Sequence, residues 1–210
     1  MIQNLFASQI WKSSLNIQQD IRNKFLISIE KNYKKYENYL HPTWPCKVHT
    51  TIDENNEVDY SFIISYFKEE YEKFAKEINL KYHNYNIHRI WYNLYLKGYN
   101  QELHDHIKGD ILYSAVYFLK LHREHPSITF YNYTNYDAYY ASKENIRNLY
   151  IEDNINHSIT RNHFTLDVKE NDFIIFPAYL PHGVFIQKTD EPRITISMNF
   201  TLENTYGSTY

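Results

Sequence analysis

Residues 104–110, His-Asp-His-Ile-Lys-Gly-Asp, place two imidazoles and two carboxylates within seven positions. In an extended segment residues i and i+2 face the same way, so His104 and His106 share a face and Asp105 points away. Two neutral imidazoles on one segment can grip iron, copper, nickel or zinc; the plainer alternative is a solvated polar turn. A third imidazole, His182, stands in Phe-Pro-Ala-Tyr-Leu-Pro-His-Gly-Val-Phe, residues 176–185. Pro177 and Pro181 force an extended entry there, and an inward ring at the start of an apolar strand needs a polar partner. A backbone carbonyl would serve, and so would an ion shared with the histidine pair. The stretch Glu-Pro-Arg-Ile-Thr-Ile-Ser-Met-Asn-Phe, residues 191–200, alternates. Arg193, Thr195, Ser197 and Asn199 fall on one face, Ile194, Ile196, Met198 and Phe200 on the other. If that strand is central, its guanidinium is buried and requires an anion. A planar fork with a hydroxyl two residues on suits a carboxylate. If it is an edge strand, the polar row faces water.

Two kinds of element must position these groups. Residues 16–36 carry Ile17, Ile21, Phe25, Ile29 and Tyr33 at four-residue steps, and 59–80 carry Ile63, Phe67, Tyr71 and Phe74. Both read as packing helices with one apolar stripe, separated by a loop at Pro42 and Pro45. From about residue 86 the period becomes two. Segments 86–98, 111–121, 127–133, 163–168, 172–177, 182–187 and 193–202 read as strands, with 134–160 a polar excursion between them. Many short strands after a helical front predict an α+β fold, a double-sheet jelly roll backed by helices. A single domain spanning 1–210 is expected, with the helical front over about 1–84 and the jelly-roll core over about 85–202.

Composition narrows the function class. A formal charge of −3 gives no bulk attraction to nucleic acid or to an anionic membrane, so neither is expected as a partner. A single cysteine, Cys46, leaves no internal disulfide framework and suits a reducing compartment. The opening stretch has no basic region followed by an apolar one, and no apolar run approaches a membrane span. A cytoplasmic protein is expected. The abundance of tyrosine accompanies abundant Asn, Lys and Ile, the residues of AT-rich codons, and points to composition before a glycan groove. The remaining histidines, His41, His49, His122, His125, His157 and His163, read as surface residues, while His83 and His88 flank a strand start. No phosphate-binding glycine loop and no Gly-x-Ser-x-Gly element is present.

The order His-x-His, then His182 76 residues after the pair, then Arg193 eleven further on, resembles the 2-oxoglutarate- and Fe(II)-dependent oxygenases. The likeness is to the prolyl-hydroxylase-like branch of phage and bacterial members. The stretches that carry it are IWYNLYLKGYNQELHDH, YSAVYFLKL, ENDFIIFPAYLPHGV and EPRITISMNF, between residues 90 and 200; the middle, 122–162, does not match in detail. The resemblance implies a distorted double-stranded β-helix, cupin-like, with Fe(II) near one open end. His104 and His182 would hold the metal with a ligand from position 106. Arg193 with Thr195 would bind the distal carboxylate of 2-oxoglutarate, the co-substrate. Asn93, Tyr95 and Tyr117 are further co-substrate candidates, and Asn199 a candidate at the rim near iron. O2 would be consumed and succinate and CO2 released as an unidentified substrate is hydroxylated. A peptidyl side chain such as proline, in a protein or peptide, is the leading expectation. No catalytic residue beyond the metal ligands is assigned. The usual triad has a carboxylate at the second position, where this chain has His106. Asp105 could replace it only through a backbone bulge, and Asp110 only if the segment loops back through Gly109. A cupin-like metal protein without 2-oxoglutarate turnover would instead pair Arg193 with an internal carboxylate. A catalytically silent jelly-roll module would lose only stability with its metal.

Overall fold

The computed structural model describes residues 8–37, 44–52, 56–80, 85–131 and 163–202. In chain order these form β1 (Trp11–Ser14), α1 (Gln19–Lys35), β2 (His49–Thr50), α2 (Ser61–Glu77), β3 (Tyr85–Tyr95) and β4 (Gln101–His104). There follow β5 (Ile111–Lys120), β6 (Ile128–Tyr131), β7 (His163–Thr165), β8 (Asp172–Pro177), β9 (His182–Val184) and β10 (Arg193–Leu202). The expected excursion at 134–160, and His41, His83 and His157, lie outside the described residues.

Both expected helices are present, each a few residues shorter than its expected span. Ile17 is buried just ahead of α1 instead of inside it. At α2 the Asp59 carboxylate accepts the Ser61 N–H at 2.9 Å. The far end of α2 closes on Asn79, whose φ of 53° is left-handed, and the Leu80 N–H bonds back to Ala75 O at 2.8 Å. That six-residue closure is a common way to satisfy the last carbonyls of a helix.

The strands pair antiparallel into two sheets, in the orders β1-β8-β5-β10-β3-β2 and β4-β9-β6-β7. The architecture is a double-sheet jelly roll backed by helices, as the change of period predicts. Two of the large sheet's strands, β1 and β2, come from the helical front. Helices and large sheet share one core: Phe67 stacks on Phe173 at 5.2 Å and Tyr71 on Phe200 at 4.3 Å, with Ile194, Ile196 and Met198 beneath. A second cluster, including Val116, Phe118, Phe130, Ile174 and Phe176, joins the two sheets. Among the described residues no helix is long and apolar enough to cross a membrane.

Strand β10 is central, paired with β3 on one side and β5 on the other, so the edge-strand alternative is excluded. Its apolar side is welded to the helical core, which leaves the row Arg193, Thr195, Ser197 and Asn199 facing the space between the sheets, each 7 % exposed or less.

Strand β4, Gln101–His104, is an edge strand that carries no alternating pattern and escapes sequence reading. It lies so close to β9 that a side chain at Gly183 would put its Cβ 3.1 Å from Gln101 O and 3.3 Å from Glu102 O. Gly183→Ala should therefore push β4 off β9 and cost about 1–3 kcal/mol. Urea unfolding of the two proteins measures it; equal stability would show that the strands have room to spare.

Candidate metal centre

His104 and His182 are direct cross-strand partners of β4 and β9, and their rings lie 4.3 Å apart. Directly opposed residues in an antiparallel pair project to the same side, which aims both rings between the sheets. His106 lies just past the end of β4. Its N–H donates to Ala178 O at 2.8 Å, which ties this segment to the turn that precedes His182. The His106 ring sits 5.2 Å from each of the other two and stacks on Trp91 at 5.9 Å with planes 22° apart. One ring nitrogen of each histidine lies within 4.8 Å of the other two.

The hydrogen bonds decide which nitrogen that is. Nδ1 of His104 meets Glu102 O at 2.8 Å, Nδ1 of His182 meets Leu180 O at 2.9 Å, and Nδ1 of His106 meets Asn199 Oδ1 at 2.9 Å. With Nδ1 engaged in all three, Nε2 is the atom left to face the shared point. Burial holds His106 down to about 4, helped by the neighbouring charge of His104 and opposed by Asn199 and Asp105. Burial, with His104 and His106 beside it, holds His182 well below the ordinary histidine value. Both rings are thus neutral near pH 7, the form a metal requires. Neither aspartate joins them. Asp105 accepts the Ile107 N–H at 3.1 Å, and both Asp105 and Asp110 are exposed on the rim. The donor set fits a borderline transition metal.

The same cavity, about 710 Å³, reaches Arg193, Thr195, Asn93 and Tyr95. Arg193 is 1 % exposed and lies over the Tyr95 ring at 4.6 Å and the Phe118 ring at 5.6 Å. Its Nε and Nη1 have no hydrogen-bond partner, and Asn93 Oδ1 has none either. Burial draws Arg193 below its ordinary value while Tyr95 opposes; burial pushes Tyr95 up to about 12, so it stays a neutral phenol. Among the described residues no carboxylate pairs with Arg193. Asn93 Nδ2 donates to Ser197 Oγ at 3.1 Å, which aims its carbonyl oxygen away from that bond.

Tyr117 does not belong here. The face of β5 that meets the cavity carries Ser114 and Val116, and the pleat turns Tyr117 to the other side. There it packs on Phe67 at 5.6 Å and donates to Asn171 Oδ1 at 2.8 Å. Trp91, which stacks on His106, and Ser114, which donates to Asn199, do line the cavity. The signal for Trp91 was its position two residues before Asn93 on the same strand face. Of the histidines read as surface residues, His122 and His163 are exposed, but His49 and His125 are buried. His49 packs edge-on to Tyr33 and shares a 3.0 Å bond with the Tyr92 hydroxyl. His88 stands exposed at the outer rim of the cavity.

A family model described as "Putative 2OG-Fe(II) oxygenase" matches residues 89–199, more than half of the 210-residue chain. No curated protein matches the chain in sequence. Among solved structures, the chain is similar to a Pseudomonas putida prolyl-4-hydroxylase at 9% identity and a TM-score of 0.58, covering 91% of this chain and 92% of that one. It is similar to AviO1 of Streptomyces viridochromogenes Tue57 at 9% identity and 0.64, covering 96% and 93%. It is also similar to HygX of Streptomyces hygroscopicus, solved with nickel, 2-oxoglutarate and hygromycin B bound, at 11% identity and 0.60, covering 94% and 84%. At such identities the likeness concerns the fold.

The lowered histidines carry a pH signature. As pH falls below about 6.5 the unfolded chain takes up protons that the folded chain refuses until His106 titrates near 4. Stability of the metal-free protein is therefore full above about pH 6.5 and is lost as pH falls toward 4. Urea unfolding at stepped pH should show that slope, and His106→Gln should flatten it. An identical slope in the variant would contradict a buried, neutral ring.

Proposed function

The chain belongs to the 2OG-Fe(II) oxygenase family, and from that premise we propose how its residues divide the work. It is a 2-oxoglutarate- and Fe(II)-dependent oxygenase with a small-molecule co-substrate. In our reading His104, His106 and His182 hold the metal through Nε2. Bound iron, with 2-oxoglutarate and O2, supplies the oxidising chemistry that hydroxylates a C–H bond while succinate and CO2 are released. The protein contributes geometry, orientation and a sheltered cavity.

Arg193 is assigned the distal carboxylate of 2-oxoglutarate. The observation that carries this is a buried guanidinium with two unmatched nitrogen atoms opening on the same cavity as the three rings. A guanidinium can meet a carboxylate with paired N–H donors. Tyr95 supports the fork from one side as a ring. Thr195 places a hydroxyl two residues along on the same face, and Asn93 is its cross-strand partner. Asn93 Oδ1 is available as an acceptor toward the cavity. We read residues 1–210 as one oxygenase domain, because helices and large sheet share a core.

For the substrate we propose a peptidyl side chain such as proline. The likeness to a prolyl-4-hydroxylase supports it, as does a cavity of about 710 Å³, large enough for the co-substrate and a side chain together. A reducing, cytoplasmic setting suits Cys46, whose thiol burial pushes up to about 12.

Anaerobic titration of the apoprotein with Fe(II) and 2-oxoglutarate tests the assignment through the visible metal-to-ligand charge-transfer band. His182→Ala should abolish the band. Arg193→Ala should weaken 2-oxoglutarate binding by at least about 30-fold, the scale for losing one partner of a desolvated charge pair. Asp105→Ala and Asp110→Ala should leave iron stoichiometry unchanged, and His106→Ala should lower it. A band that forms in Arg193→Ala at wild-type 2-oxoglutarate concentrations would remove Arg193 from the co-substrate site.

A further inference from the structure

Three imidazoles can serve one cation only if each presents a lone pair, and a neutral imidazole has just one. For His104 and His182 the choice is made by peptide oxygens, Glu102 O and Leu180 O. A carbonyl can only accept, so Nδ1 must carry the proton and Nε2 the lone pair. His106 is different. Its Nδ1 partner is the Asn199 side chain, at 2.9 Å, and the same Asn199 oxygen accepts the Ser114 hydroxyl at 2.9 Å. A carboxamide has two ends. Turned over, it would offer N–H to both partners; the Ser114 hydroxyl would rotate to accept, and His106 would move its proton to Nε2. That ring could not ligate. A carboxylate at position 106 would need no such control, because it has no tautomers.

We infer that Asn199, steadied by Ser114, is the positioning residue that makes His106 a metal-facing imidazole. The inference rests on the proposed role of His106 as third ligand. Its geometry is built by the large sheet: Asn199 and Ser114 are direct cross-strand partners of β10 and β5, 5 % and 1 % exposed. Trp91, 3 % exposed and stacked on the ring, restricts its plane, so the position of the proton is the variable left for Asn199 to set. Asn199 thus touches the His106 ring on the side away from the shared point and acts through it.

The test reads the proton directly. Long-range proton–nitrogen NMR of the labelled apoprotein at fixed pH about 7.5 should show wild-type His106 with its proton on Nδ1. Asn199→Leu should shift population to the Nε2–H form and weaken binding of Fe(II) alone, measured anaerobically by calorimetry, about 10- to 100-fold, the usual range for losing a partner behind a ligand. Asn199→Asp, which can only accept, should keep the wild-type tautomer and return affinity to within a few-fold of wild type. Ser114→Ala, a smaller change that serves if Asn199→Leu does not fold, should move tautomer and affinity in the same direction as Asn199→Leu. Wild-type tautomer and affinity in Asn199→Leu or Ser114→Ala, with affinity lost in His106→Ala, would overturn the inference and spare the ligand. Unchanged affinity in both His106→Ala and Asn199→Leu would overturn the ligand assignment, and the inference with it.

Discussion

A guanidinium taken out of water with no carboxylate paired to it among the described residues is the constraint that the rest of the molecule accommodates. Arg193 lies almost fully buried between the rings of Tyr95 and Phe118. Two aromatic faces return about 2 kcal/mol of cation–π attraction, against several kcal/mol for desolvating the charge. The difference is carried on the opposite side of the same strand, where Ile194, Ile196, Met198 and Phe200 lie in the helix-backed core. One central strand thus joins an apolar face that stabilises to a polar face that does not. The proposed co-substrate site lies on the second.

The metal centre has a matching electrostatic character. Three imidazoles bring no negative charge, so a divalent cation there keeps its full charge, and Arg193 adds another on the same cavity. On the proposed assignment, a dicarboxylate co-substrate would carry charge to meet both. Two of the acidic side chains nearby, Asp105 and Asp110, stand exposed on the rim, where solvent and salt screen them; the third, Glu102, accepts the Gln101 amide at 2.8 Å. Support behind the rings comes from neutral acceptors, two peptide carbonyls and one carboxamide. These fix orientation and leave the rings less basic than a carboxylate partner would make them.

Much of this was legible along the chain, and the reason is periodicity. The four-residue stripe through Phe67 and Tyr71 and the strict alternation from Arg193 to Phe200 record which side of each element meets a core. Spacing alone brought His104 and His106 to one face. The failures have physical causes too. Tyr117 was misplaced because alternation within β5 defines two faces and does not name the one that meets the cavity; Ser114 and Val116 do. Strand β4 is short and lies at a sheet edge, where packing imposes little pattern. His49 and His125 sit in polar-looking surroundings, but segments distant in sequence bury them.

By itself the sequence determined the donor types, their local sidedness and the order in which they occur, because these follow from side-chain chemistry and from the pleat of a single strand. Only the tertiary structure decided that His104 faces His182 across β4 and β9, that Arg193 is central and without a carboxylate partner among the described residues, and that Asn199 and Ser114 stand behind His106. Each of those depends on register between strand positions 74 to 117 residues apart. Such register is set by the packing of the whole sheet, which no local pattern encodes.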